Sequence, residues 1–123
     1  MPTREPRWKQ EMRARIERIF ASEDSSELLP ALRRELDSLQ QEIADAERGA
    51  RLRFPALQKQ MRPGGRMTAA DYRDAKESLR LIQKSTDMQN RLGWTVEMMA
   101  TRLVRMGRKK DAWEVMEYLG RQL

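Results

Sequence analysis

Basic side chains are the residues of this chain whose type and spacing could do chemistry. Lys and Arg number 25 against 19 acids, a net charge of +6. They concentrate in residues 48–70, which hold six cations and no acid, and in residues 92–110, which hold five cations and one acid. Guanidinium and ammonium groups bind phosphate oxygens strongly, arginine often through two hydrogen bonds. We therefore expect these segments to contact a polyanion, through Arg48, Arg51, Arg53, Lys59, Arg62, Arg66, Arg108 and Lys110.

A second set of cations follows the helical repeat. If residues 68–109 form one helix at about 100° per residue, seven cations fall within a sector of roughly 60°. They are Arg73, Arg80, Lys84, Arg91, Arg102, Arg105 and Lys109, with only Asp87 among them. A basic stripe beside a basic loop is typical of a surface that binds a nucleic-acid backbone. Met98 adjoins this stripe and Trp94 follows a candidate helix break at Gly93, and both are candidates for stacking or partner contact.

Other interpretations of these residues stay open. A charged helix face is often only solvated, and the acidic segment 20–47, with eight acids and two cations, could neutralise the basic ones within the chain. For Trp94, packing between helices as an aromatic plug is favoured over stacking on a partner. For Met98, core packing is favoured over partner contact.

The composition argues against catalysis. The chain has no His and no Cys, so it lacks the commonest general base, the commonest metal ligand and any thiolate. We expect no catalytic residue, no metal and no cofactor. Neither a signal peptide nor a run of about 18 apolar residues is present, which predicts a cytoplasmic protein without a membrane partner.

The elements that must position these cations are helices. Apolar spacing predicts helices over 7–21, 27–61, 68–106 and 109–122. Pro55 predicts a kink near Phe54 in the second helix, and Gly93 allows a break in the third. Arg62–Arg66 reads as a turn, and Thr68 with Asp71 as a capping box that opens the third helix.

Both long helices carry apolar residues in alternating steps of three and four, as in an a/d seam. The first seam runs through Leu29, Leu32, Leu36, Leu39, Ile43, Ala46 and Ala50. The second runs through Tyr72, Ala75, Leu79, Ile82, Thr86, Gln89, Gly93, Val96, Ala100 and Leu103. The predicted fold is all-α, a single-domain helical bundle built on an antiparallel heptad-patterned hairpin. Short N- and C-terminal helices flank it, and Trp8, Phe20 and Trp113 close the core. The last helix is expected to pack through Ala112, Trp113, Met116 and Leu119.

The function expected from these patterns is that of a non-catalytic accessory subunit, which binds a nucleic-acid backbone without sequence specificity inside a larger nucleoprotein complex. The chain is similar in size and charge, and in nothing more specific, to the small all-α subunits of CRISPR effector complexes. The alternative is a protein-binding adaptor or inhibitor, such as a phage- or plasmid-encoded protein acting on a host complex. Expected partners are RNA or DNA and other protein subunits. A homo-oligomer formed through the heptad seams stays open.

Overall fold

The chain folds as α-helices joined by short connections. The computed structural model describes residues 4–120, and in these it contains four helices and no strand. They are α1 (Arg7–Ser22), α2 (Leu28–Met61), α3 (Ala69–Arg105) and α4 (Lys109–Gly120). The sequence predicts the fourth helix to reach residue 122, and its last two residues lie outside the described range.

Side-chain hydrogen bonds open the two long helices. Before α2, the carboxylate of Asp24 accepts hydrogen bonds from the Ser26 hydroxyl and the Glu27 N–H. These hydrogen bonds hold the pKa of Asp24 below its ordinary 3.8. Before α3, Thr68 N–H donates to Asp71 Oδ2 at 3.0 Å and Asp71 N–H donates to Thr68 Oγ1 at 3.1 Å. This reciprocal pair is the predicted capping box.

Neither Pro55 nor Gly93 ends a helix. Pro55 lies inside α2, and α3 runs through Gly93 without the break that the sequence allowed. Gly93 keeps a negative φ, whereas Gly64 (72°) and Gly107 (79°) adopt positive values where the chain leaves α2 and α3. A glycine inside a helix lowers its stability modestly but does not by itself end it. The turn at Gly64 and the stop at Gly107 use the left-handed conformation that glycine tolerates best.

The sequence predicts one domain, and the structure divides into two compact units. Unit 1 comprises Met1–Asp37 and Leu92–Leu123, and unit 2 comprises Ser38–Arg91. Both α2 and α3 contribute residues to each unit.

Unit 1 has a core drawn from all four helices. Its buried side chains include Ile16 of α1, Leu32 and Leu36 of α2, Val96 and Leu103 of α3, and Val115 of α4. Polar contacts join the same segments: Tyr118 Oη donates to Asp37 Oδ1 at 2.6 Å, and Arg33 pairs with Glu114 at 3.2 Å.

Two predictions about the core are wrong in α4. Trp113 does not close the core, because 68% of its surface is exposed, and Met116 and Leu119 are 42% and 40% exposed. The helix packs instead through Ala112, Val115 and Tyr118. The Tyr118–Asp37 hydrogen bond favours this orientation. Its two residues lie 81 apart in sequence, so helical periodicity cannot predict their contact.

Unit 2 is a close pairing of α2 and α3 residues. Its buried side chains include the small residues Ala46, Ala50, Ala75 and Ser78, and the Ser78 hydroxyl donates to the Ala50 carbonyl at 3.1 Å. The predicted seam is not followed in this part of α3. Its large members are exposed, and Ser78, Leu81, Ser85 and Met88 are buried instead; the exposed members are Tyr72 (57%), Leu79 (47%) and Ile82 (40%). Each buried position lies one residue before a predicted one, so a neighbouring side of the helix faces the interface.

Two leucines of α2 allow a matched test of these burial assignments. Leu36 is fully buried and Leu52 is 74% exposed. We expect Leu36→Ala to lower the free energy of unfolding by about 2–5 kcal/mol, because it removes buried methyl groups and leaves a cavity. Leu52→Ala should change it by less than about 0.5 kcal/mol. Urea denaturation followed by circular dichroism measures both, and equal losses would contradict the assigned burial.

Candidate nucleic-acid interface

Unit 2 presents a row of cations along the exposed side of α3. Arg73, Lys76, Arg80 and Lys84 follow each other at steps of three or four residues, so they share one side of the helix, and all four are exposed. We call these four residues the α3 basic face. They line two adjoining depressions of about 490 and 370 Å³, which share Arg80 and Gln83. Arg91 lies at the far end of the second depression.

Most cations of the α3 basic face are available to a ligand. Arg80 is the exception, because its guanidinium donates to Glu77, with an Nε–Oε2 distance of 2.8 Å. This hydrogen bond lowers the pKa of Glu77 and raises that of Arg80. Arg73, Lys76 and Lys84 form no ion pair with any described residue. Three unpaired cations therefore remain on one helix face.

The cations predicted at 48–66 divide into engaged and unengaged groups. Arg48 lies 3.5 Å from Asp45, Arg53 donates to the Gly49 carbonyl at 3.2 Å, and Lys59 lies 3.1 Å from Asp71. Arg51, Arg62 and Arg66 are exposed and have no ion pair within residues 4–120. The sequence predicts all six cations as one contact group, and the structure leaves three of them without an ion pair in the described part of unit 2.

Two predicted contact residues of unit 1 form ion pairs and hydrogen bonds within the chain. Arg102 pairs with Glu17 at 2.6 Å, and its guanidinium lies 5.1 Å from the Phe20 ring centroid. Arg108 pairs with Asp111 at 2.6 Å and donates to the Ser25 carbonyl at 2.8 Å. In contrast, Arg105, Lys109 and Lys110 are exposed and unpaired in the described part of the chain.

Trp94 and Met98 lie in unit 1, beside α1. The Trp94 ring meets Trp8 edge to face at 5.3 Å, and the cations of Arg13 and Lys9 lie 5.5 and 5.7 Å from its centroid. The Trp94 ring therefore packs against side chains of α1, as expected for an aromatic plug between helices. Met98 is half-buried in a depression of about 450 Å³ that Arg13, Glu17 and Arg105 also line.

Sequence reasoning missed one member of the α3 basic face. Lys76 falls outside the sector of roughly 60° that defined the stripe. A signal was nevertheless present, because Lys76 lies three residues after Arg73 and four before Arg80. Residues at those spacings are neighbours on a helix surface.

Comparison with protein-family models, with curated proteins and with solved structures finds no significant match to this chain. None of the helices in residues 4–120 has an apolar stretch long enough to cross a bilayer. The chemistry of the site therefore rests on the geometry described above.

The Asp71 carboxylate links the start of α3 to a predicted contact residue, and its titration should be measurable. The Thr68 N–H and Lys59 stabilise the charged form, so the pKa of Asp71 lies below its ordinary 3.8. A group with a lowered pKa in the folded state contributes stability above its ordinary pKa and loses it as the pH falls through the folded value. We expect Asp71→Asn to be less stable than the parent protein at pH 6, and the difference to shrink as the pH falls below about 4.

Thermal unfolding of both proteins at several pH values provides the measurement. Asp74→Asn is the matched control, because Asp74 is exposed on the same helix and forms no ion pair with any described residue. A difference for Asp71→Asn that does not vary with pH would contradict the assigned charge interactions.

Proposed function

We propose that this chain is a non-catalytic accessory subunit that binds the phosphate backbone of RNA or DNA without reading sequence, within a larger nucleoprotein complex. The observation that carries the proposal is the α3 basic face. Arg73 to Lys84 span roughly 16 Å along the helix at about 1.5 Å per residue. Such a row can contact several successive phosphates of one strand, because phosphates repeat every 3.4 Å or so along a duplex axis.

The charge of unit 2 supports the same proposal. Residues 38–91 hold eleven cations and seven acids, so this unit carries a net charge of +4. Phosphate contacts fix a protein on nucleic acid and carry no base information. We therefore assign the α3 basic face, with Arg51, Arg62 and Arg66, to backbone contact, and the absence of His and Cys agrees with a binding role.

We also propose that α2 and α3 form the framework of this surface as an antiparallel hairpin with heptad-type packing. In the contacts that support it, the residue number on α2 decreases as the residue number on α3 increases, as expected for antiparallel helices. Lys59 contacts Asp71, Ala50 contacts Ser78, and Glu47 contacts Gln89. The turn between the helices carries Arg62 and Arg66, which places them at one end of the hairpin.

A protein-binding adaptor or inhibitor is the second candidate, and exposed apolar side chains favour it. Trp113, Met116 and Val104 of unit 1 are 68%, 42% and 49% exposed. Adjacent exposed apolar side chains are typical of protein interaction sites. The two candidates differ in what the cations do, so nucleic-acid binding decides between them.

Backbone binding predicts a steep dependence on salt. Fluorescence anisotropy with labelled RNA and DNA of unrelated sequences should give similar affinities. The logarithm of the affinity should fall linearly with the logarithm of salt concentration, because bound cations displace condensed counterions. Absence of binding at low salt would reject the proposal and favour the adaptor.

Neutralising the α3 basic face should flatten that dependence. Each lost phosphate contact reduces the magnitude of the slope of log affinity against log salt concentration by about 0.7–0.9. The triple variant Arg73→Gln, Lys76→Gln and Lys84→Gln should therefore reduce it by about 2–3. The matched control is Arg18→Gln with Arg34→Gln, two exposed arginines of unit 1 with no ion pair to the described chain. An equal effect of the control per charge would show that net charge, and not this surface, drives binding.

A further inference from the structure

An apolar groove lies between α3 and α4 in unit 1. Its volume is about 600 Å³, and Val104, Met116 and Leu119 form exposed walls. Gly93 and Ala100 lie on the α3 side of the same groove. We call the space bounded by these five residues the α3–α4 groove. Most of its lining is apolar, with Glu97 and Arg105 as its only charged lining residues in the described chain, so its chemistry suits an apolar partner surface with a charged edge.

The glycine in this groove has no explanation within the chain itself. A Cβ added at Gly93 would meet no atom within 4 Å, and its φ is not positive. Gly49 differs, because a Cβ there would come within 2.7 Å of Leu81 Cδ1. Packing inside unit 2 accounts for the glycine at 49. At 93 the fold would accept a better helix former, and glycine leaves the groove open for an approaching backbone.

The charges at the edge of the groove are arranged symmetrically about one residue. Glu97, Thr101 and Arg105 follow each other at steps of four residues, are exposed, and all border the groove. Neither Glu97 nor Arg105 forms an ion pair with any described residue. A second, antiparallel α3 whose two-fold axis passes beside Thr101 would face its Arg105 toward Glu97, and its Glu97 toward Arg105.

We propose that the α3–α4 groove binds a second copy of this chain, forming a two-fold symmetric dimer. The apolar walls of the two copies bury each other, and two identical Glu97–Arg105 ion pairs set the antiparallel register. Only a copy of the same surface has this complementarity by symmetry, since residue i contacts residue j and j contacts i. The dimer does not depend on nucleic-acid binding.

The experiment is a charge exchange measured by sedimentation equilibrium over a wide range of protein concentration, without nucleic acid. Glu97→Arg alone and Arg105→Glu alone each place like charges opposite one another twice in the dimer, and each should raise the dissociation constant more than about tenfold. The double variant Glu97→Arg/Arg105→Glu restores opposite charges and should return it to near the parent value. Glu42→Arg in unit 2, where Glu42 is exposed and unpaired within residues 4–120, is the matched control and should leave it unchanged.

A second variant fills the groove without touching the charges. Gly93→Leu has room for its Cβ, so circular dichroism should show an intact helical fold, while its side chain should block the second copy and leave the protein monomeric. A parent protein that is monomeric at every concentration would overturn the proposal and leave the groove to another protein. A double variant as weak as the single variants, or a Gly93→Leu protein that still dimerises, would overturn it as well.

Discussion

Burial of the apolar stripe of α2 is the constraint on which both units depend. In unit 1 the stripe consists of Leu28, Leu32 and Leu36, each at most 2% exposed. In unit 2 it begins with Leu39 and Ile43, changes to alanine at Ala46, Ala50 and Ala56, and ends at Leu57. Leucines hold neighbouring helices far enough apart for several elements to share a core, whereas alanines allow one helix to approach closely. The alanines in the middle of the unit 2 stripe thus favour a thinner core there than the leucines of unit 1.

That thin core has consequences for the surface of unit 2. A close pairing through small residues cannot also bury the large apolar side chains on the flank of α3, so Tyr72, Leu79 and Ile82 are exposed. The side of α3 away from the interface carries its cations. Within α3, Glu77 pairs with Arg80 three residues later, and Arg73, Lys76 and Lys84 form no ion pair with any described residue.

The four helices and their approximate ends could be predicted from the sequence, because they depend on local signals. These are the capping box of Thr68 and Asp71, apolar residues spaced by three and four positions, and the glycines that follow α2 and α3. The side of α4 that packs could not be predicted, since Trp113 and Tyr118 are both large and aromatic, and the hydrogen bond that favours Tyr118 is accepted by a distant acid, Asp37. The same limit applied to the cations. Arg102 and Arg108 are predicted contact residues, and partners more than eighty residues away, Glu17 and the Ser25 carbonyl, engage them in the fold, Arg108 together with the nearby Asp111.

The turn between α2 and α3 is a site where the chain can accept inserted residues. Residues 62–66 are exposed, and a Cβ added at Gly64 would meet no atom within 4 Å, so Gly64 packs against no other part of the fold. The hydrogen bonds that open α3 begin only at Thr68, so they are independent of the length of the turn. Exposed loop tips accept insertions, and lengthening a flexible loop has a small entropic cost that rises only slowly with length. A reporter peptide or a second binding module inserted at Gly64 would therefore be carried at the tip of unit 2 while the helices keep their packing.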